Sequence, residues 1–136
     1  MYLVAAVLIG GSGIGVWQLV GNNKSTFTAR SIIVPELSEQ ALRGKIAFDR
    51  NCARCHGVNA AGTRQGPSFV NEIYNPGHHG DAAFFRAAAN GVPQHHWPYG
   101  DMPPQPQVTQ EDVALIVEYV RTLQKANGIV WKRHTM

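Results

Sequence analysis

The sequence predicts an all-α domain with long loops, preceded by an apolar N-terminal helix. Three observations carry this. Val113, Ile116, Val117 and Val120 recur at the spacing of one helix face. Ser38, Asp81 and Thr109 each stand at the head of a helix-forming run. No stretch alternates apolar and polar residues as a half-buried strand does.

Residues 1–23 hold no charged side chain, and Tyr2 to Val20 is 19 residues long. As a helix rising about 1.5 Å per residue, that run spans roughly the hydrocarbon core of a bilayer. It reads as a transmembrane anchor. The competing reading is a cleaved signal segment with its apolar part at Tyr2 to Gly10, although no Lys or Arg precedes that run and no clear A-x-A site follows it. A buried core helix is the third reading, and a helix apolar on all sides suits lipid better than so small a domain. Residues 24–35 show no helical period and include a proline near their end, so they read as a linker.

The folded domain is expected over residues 36–126. Ser38 should cap its first helix, which runs to about Asn51, with Leu37 and Leu42 as a hydrophobic staple and Gly44 and Phe48 on one face. A short alanine-rich helix should follow an Asp81 cap and stop at Asn90-Gly91. The last helix should start at Thr109, with Asp112 at the third position and Val108 and Val113 as a second staple. Leu115 and Tyr119 widen its apolar face, and Gly128 ends it. Residues 127–136 form a tail.

The chain has 136 residues, enough for one domain of modest size, and a formal charge of +3. Between residues 36 and 125 there are eight Lys and Arg against nine Asp and Glu, so the basic excess belongs to the flanks. No basic stripe is interleaved with aromatics, which argues against nucleic-acid binding.

Chemistry concentrates at "NCARCHG", residues 51–57, which holds both cysteines of the chain. A structural zinc site needs four ligands, and one C-x-x-C supplies two. No other histidine pair has zinc-finger spacing. A dithiol redox centre expects a preceding strand in a βαβ pattern, whereas a capped helix precedes this one. A disulfide three residues wide would close a loop too small to stabilise much. Covalent haem attachment accounts for all three residues together. Two thiols, at Cys52 and Cys55, stand one helical turn apart for the two porphyrin vinyl groups, and His56 lies on the same face for the iron.

A second axial ligand is sought downstream, where "YGDMPP" contains Met102 between a glycine turn and two prolines. That backbone cannot be helical, so Met102 is better placed to present a thioether than to fill a core. A soft sulfur suits iron, and a His/Met pair raises the reduction potential.

On these residues the chain resembles a class I cytochrome c over about residues 36–126. The resemblance rests on Gly44 and Phe48, Cys52-Ala53-Arg54-Cys55-His56, Gly66-Pro67, Gly100-Asp101-Met102-Pro103 and Tyr119. It implies an N-terminal and a C-terminal helix crossing closely over the haem, with Gly44 at the contact and Tyr119 packed on it. It implies that the Pro67 carbonyl accepts the His56 Nδ1–H, fixing the ring. It implies one covalent haem c per chain, redox proteins as partners, and a haem domain on the periplasmic face of a bacterial cytoplasmic membrane, or exported if the N-terminal segment is cleaved.

Lys24 and Arg30 follow the apolar segment and would by the positive-inside rule keep the domain cytoplasmic. The haem chemistry is given more weight.

The stretch "GVPQHHWPYGDMPP" departs from a minimal family member. Trp97 and Tyr99 are expected on the porphyrin edge, with the Trp97 indole able to donate to a propionate. Two other readings stay open: His95 or His96 replaces Met102 on iron, or the pair binds a second metal with His78 and His79. Adjacent loop residues tend to point apart, which weighs against the last.

The function expected is one-electron transfer, without a small-molecule substrate, since no nucleophile–base pair is evident. Alternatives are a subunit built into a larger respiratory or dehydrogenase complex, and a ligand-sensing haem domain.

Overall fold

The computed structural model describes residues 31–133. The apolar segment 1–23 and most of the 24–35 linker lie outside the described residues. Among those described, no helix is long and apolar enough to cross a membrane. The domain is all-α: α1 (Glu39–Asn51), α2 (Ala53–His56), α3 (Asp81–Asn90) and α4 (Gln110–Ala126), with single 3₁₀ turns at Val58–Ala60 and Glu72–Tyr74. Extended pairing among the described residues is limited to one antiparallel bridge, Val92 with Met102.

Ser38 caps α1 by accepting a hydrogen bond from the Ala41 N–H at 3.2 Å. Of the expected staple, Leu37 packs against the core while Leu42 is half-exposed. The helix stops at Cys52, whose φ of −117° breaks the run before the single turn of α2. The Cys52 carbonyl nevertheless accepts from the N–H of Cys55 and of His56, so the motif keeps the pitch of one turn.

Thr109 and Asp112 form a reciprocal capping box at the head of α4, each side chain accepting from the other's backbone N–H. The cap expected of Asp81 is not formed. Gly80 is the N-cap of α3, and Asp81 sits in the first turn, where its carboxylate accepts from Arg121 Nε at 2.9 Å. An ion pair to another helix has taken the carboxylate, which still complements the positive end of the helix dipole.

The helices α1 and α4 cross at Gly44. A Cβ there would collide with the Leu115 carbonyl and lie 3.0 Å from Tyr119 Cβ, so only glycine lets the backbones meet. One turn on, Phe48 packs against Tyr119 with ring centroids 5.6 Å apart. Phe48, Tyr119, Val120 and Leu123 are fully buried, and this crossing is the core. Each such side chain stabilises the fold by about 1.5–3 kcal/mol through loss of apolar surface from water.

Both flanks join this core. Asn127 closes a reciprocal pair with the Ile33 backbone, at 3.0 and 2.8 Å, so the last residues before α1 lie on the end of α4. Ile129 is buried in the core, and Lys132 pairs with Glu72 at 2.8 Å, so the packed chain continues past residue 126.

Candidate functional site

The helix α2 ends in a turn that only a tightly held chain adopts. Asn59 and Ala60 both have left-handed backbones, at φ 54° and 56°, a conformation costing a non-glycine residue about 1 kcal/mol. The turn is fastened from three sides. Tyr119 donates its hydroxyl to Asn59 Oδ1 at 3.3 Å, and the Ala60 carbonyl accepts from the Phe69 N–H at 3.0 Å and the Ser68 hydroxyl at 2.9 Å. This folds "GPSF" back under the motif.

As a result Pro67 meets His56. His56 Nδ1 lies 3.0 Å from the Pro67 carbonyl, which can only accept, so Nδ1 carries the proton and Nε2 keeps its lone pair. The ring is buried and stacks on Phe69 with centroids 4.1 Å apart. Burial lowers the His56 pKa, and the Pro67 hydrogen bond partly offsets this, so the imidazole is neutral at physiological pH.

The two thiols are free. Burial, and then the neighbouring Cys55, push the Cys52 thiol up to about 11. A thiol this weakly acidic is the opposite of the activated thiolate a dithiol redox centre needs.

His56 faces a cleft of about 380 Å³. Cys52, Pro67, Phe69, Trp97 and Met102 line it with His56, and α3 and α4 contribute Phe84, Val113 and Ile116 to its walls. Cys55 does not line the cleft; its Sγ is 4.0 Å from Gln65 Oε1. Met102 is held by two backbone hydrogen bonds with Val92, both 2.9 Å. Gly91, at φ 74°, permits this pairing, because a Cβ there would strike the Met102 carbonyl. The loop between is braced by the Gln94 N–H donating to Asp101 Oδ1 and the Gly100 N–H donating to Gln94 Oε1, each at 2.8 Å.

Trp97 lines the cleft as expected, but its indole N–H donates to the Tyr74 hydroxyl at 3.2 Å rather than standing free for a propionate. Desolvation pushes the Tyr74 hydroxyl up to about 12, which keeps it protonated. His95 is exposed, with Nδ1 against the Pro93 carbonyl at 2.8 Å.

Three residues that sequence reasoning passed over organise this wall. Phe69 stacks on His56 and meets the rings of Phe48, Tyr74 and Phe84 edge-on or nearly so. Arg121 donates to Asp81, to the Tyr74 and His79 carbonyls and to Gln124, and its guanidinium lies over the Phe84 ring at 5.1 Å. Gln124, fully buried, donates to the Phe69 and Tyr74 carbonyls at 2.8 and 3.0 Å. The available signal was Arg121 and Gln124 three residues apart beside the apolar face of α4.

A neutral, oriented imidazole, the Cys52 thiol and a thioether around one largely apolar cleft, with Cys55 one turn along in the same motif, fit a haem, and they define the class as covalent haem proteins of the C-x-x-C-H type. Residues 41–124, more than half of the chain, match the family model described as Cytochrome c, and no curated protein matches the chain. The chain belongs to the cytochrome c family. Its cofactor is therefore covalently bound haem c, its general function haem electron transfer, and its partners are redox proteins.

Proposed function

We propose that the chain is a one-electron carrier in which Cys52 and Cys55 would hold the haem covalently and His56 and Met102 would ligate its iron. Bound haem supplies the Fe(II)/Fe(III) couple. The observation that carries the reading is that His56 and Met102 line one cleft while the Met102 backbone is pinned twice to Val92. The Pro67 carbonyl holds the His56 ring in the tautomer that leaves Nε2 as donor, and a hydrogen bond at Nδ1 raises its basicity. Phe69 keeps that ring from turning. The Val92 bridge, Pro103 and Pro104 restrict the backbone that carries Met102, so little rearrangement accompanies a change of charge. Trp97, tied to Tyr74, lines the same cleft.

We further propose that segment 1–23 tethers the protein to the outer face of a bacterial cytoplasmic membrane, where it exchanges electrons with protein partners. The support is the uncharged 19-residue run from Tyr2 to Val20 together with the covalent haem. A chain starting near Ser25 should then be soluble while the full chain sediments with membranes, and mature protein from cells that begins near residue 25 would reassign the segment as a signal.

Met102→Ala tests the ligand set. The variant should keep its covalent haem, lose the weak near-infrared band of a methionine–ferric iron bond, and show a lower reduction potential. His95→Ala should leave band and potential in place. A band that survives in Met102→Ala would hand the role to another residue.

A further inference from the structure

We propose that His78, His79 and His96 form a second metal site, for one zinc(II) or copper(II) ion, at the edge of the haem cleft. The fold undoes the expectation that adjacent histidines diverge. Asn75 accepts the His78 and His79 N–H groups on its carbonyl at 3.0 and 2.9 Å, curling the chain so that the two rings stand 4.5 Å apart. The loop ending at the Val92–Met102 bridge delivers His96 to the same point, 5.2 and 5.3 Å from the two rings. One ligand nitrogen from each of the three lies within 4.8 Å of the other two.

One of the separations matches an ion. His78 Nε2 and His96 Nε2 are 3.2 Å apart. Two imidazole nitrogens about 2.0–2.1 Å from a tetrahedral zinc stand about 3.3 Å from each other. One shared proton could join that pair, but it gives no reason for a third imidazole beside them. His79 Nδ1 lies 2.7 Å from the Ile73 carbonyl and so carries its proton, leaving Nε2 with the lone pair. A ring nitrogen bonded to a backbone carbonyl is the usual outer-sphere support of a metal-bound histidine. Imidazole donors without a carboxylate select zinc and copper over calcium or magnesium. Three protein ligands leave the fourth corner to solvent, on the side where His96 is exposed.

The site rests on the proposed function, in which Met102 and not His96 serves the haem iron. It is close to the cleft, which His79 and His96 both line. A divalent cation there stabilises a reduced haem over an oxidised one by Coulomb attraction.

The test is a calorimetric titration of untagged holoprotein, stripped by a chelator, with Zn²⁺ as a redox-silent probe. One equivalent should bind, Cu²⁺ should displace it in line with the general affinity order, and the haem midpoint potential should rise as the site fills. His78→Asn and His96→Asn should each weaken binding by about a hundredfold or more, since loss of outer-sphere partners alone costs 10–100-fold. Both variants should keep the wild-type haem spectrum, which certifies the fold, and lose the shift in potential. His134→Asn should bind as wild type. The absence of saturable binding of either ion, or binding undiminished in both variants, overturns the site. One-equivalent binding with an unmoved potential overturns its placement beside the haem.

Discussion

The helix crossing and the wall of the cleft are built by opposite means. At the crossing, α1 and α4 meet backbone to backbone at Gly44, and the side chains around Phe48 and Tyr119 are cut off from water. Along residues 91–110 the chain is held by one two-bond bridge, the Gln94–Asp101–Gly100 braces and prolines. The crossing stabilises itself through packing. The wall holds its shape through hydrogen bonds and prolines instead. Arg121 ties the crossing to the far side of the cleft, reaching from α4 to the first turn of α3 and to carbonyls of the 74–79 loop.

The largest break should come at the crossing. Gly44→Ala adds one methyl, yet it has backbone rather than a movable side chain in its way. It should cost the holoprotein about 3 kcal/mol in a guanidinium titration, the upper end of ordinary overpacking. A loss under about 1 kcal/mol would mean that the helices can slide and that the crossing is less rigid than its contacts imply.

Next comes the tie. Arg121→Ala takes the donor from the His79 carbonyl and from Gln124 Oε1 and frees Asp81, while the Tyr74 carbonyl keeps Gln124, and it should cost about 2 kcal/mol. Hydrogen exchange should rise in α3 and the 74–79 loop more than in α1. Equal change in both would show the two regions unfolding as one unit.

Alkaline pH sharpens the comparison from the side of the core. Burial, with Asp49 adding to it, pushes the Tyr119 hydroxyl up to about 12. The phenol is therefore neutral in the fold, and its ordinary pKa is about 10. The unfolded chain loses that proton first as pH rises, so stability is complete below about pH 10 and drains away towards 12. Tyr119→Phe removes the hydroxyl bond to Asn59 for about 1 kcal/mol at neutral pH. It should flatten the fall in melting temperature between those pH values. An unchanged alkaline slope would assign it to other groups, Tyr74 first.

The smallest global effect is expected in the wall. Asp101→Ala removes the brace on Gln94, a local cost of about 1 kcal/mol. Global unfolding should barely move. If Met102 is the sixth ligand, carbon monoxide should bind the reduced protein about fivefold more readily, because affinity scales with the open fraction. A global loss as large as that of Arg121→Ala would erase the distinction between the two regions.

The helices were legible because each is specified by neighbours in sequence. Ser38 and the Thr109–Asp112 box are local hydrogen bonds, and the Val113–Val120 stripe is a local period, so no distant partner is needed to read them. The C-x-x-C-H motif was legible for the same reason: its three groups lie on one turn of chain. Asp81 was misread because its choice between capping α3 and pairing with Arg121 depends on a residue 40 positions away.

By itself, then, the sequence determined the all-α class, the starts of α1 and α4, and the thiol–imidazole motif that marks a cytochrome c; the resemblance added Gly44 at the contact and the Pro67 carbonyl on His56. Only the tertiary structure decided which groups share the cleft. It gave the Trp97 indole to Tyr74, set Phe69 under the imidazole, and gathered three histidines from two loops. The reason is physical. Side-chain direction in a loop has no fixed period, so which rings converge follows from hydrogen bonds between distant positions such as Arg121–His79.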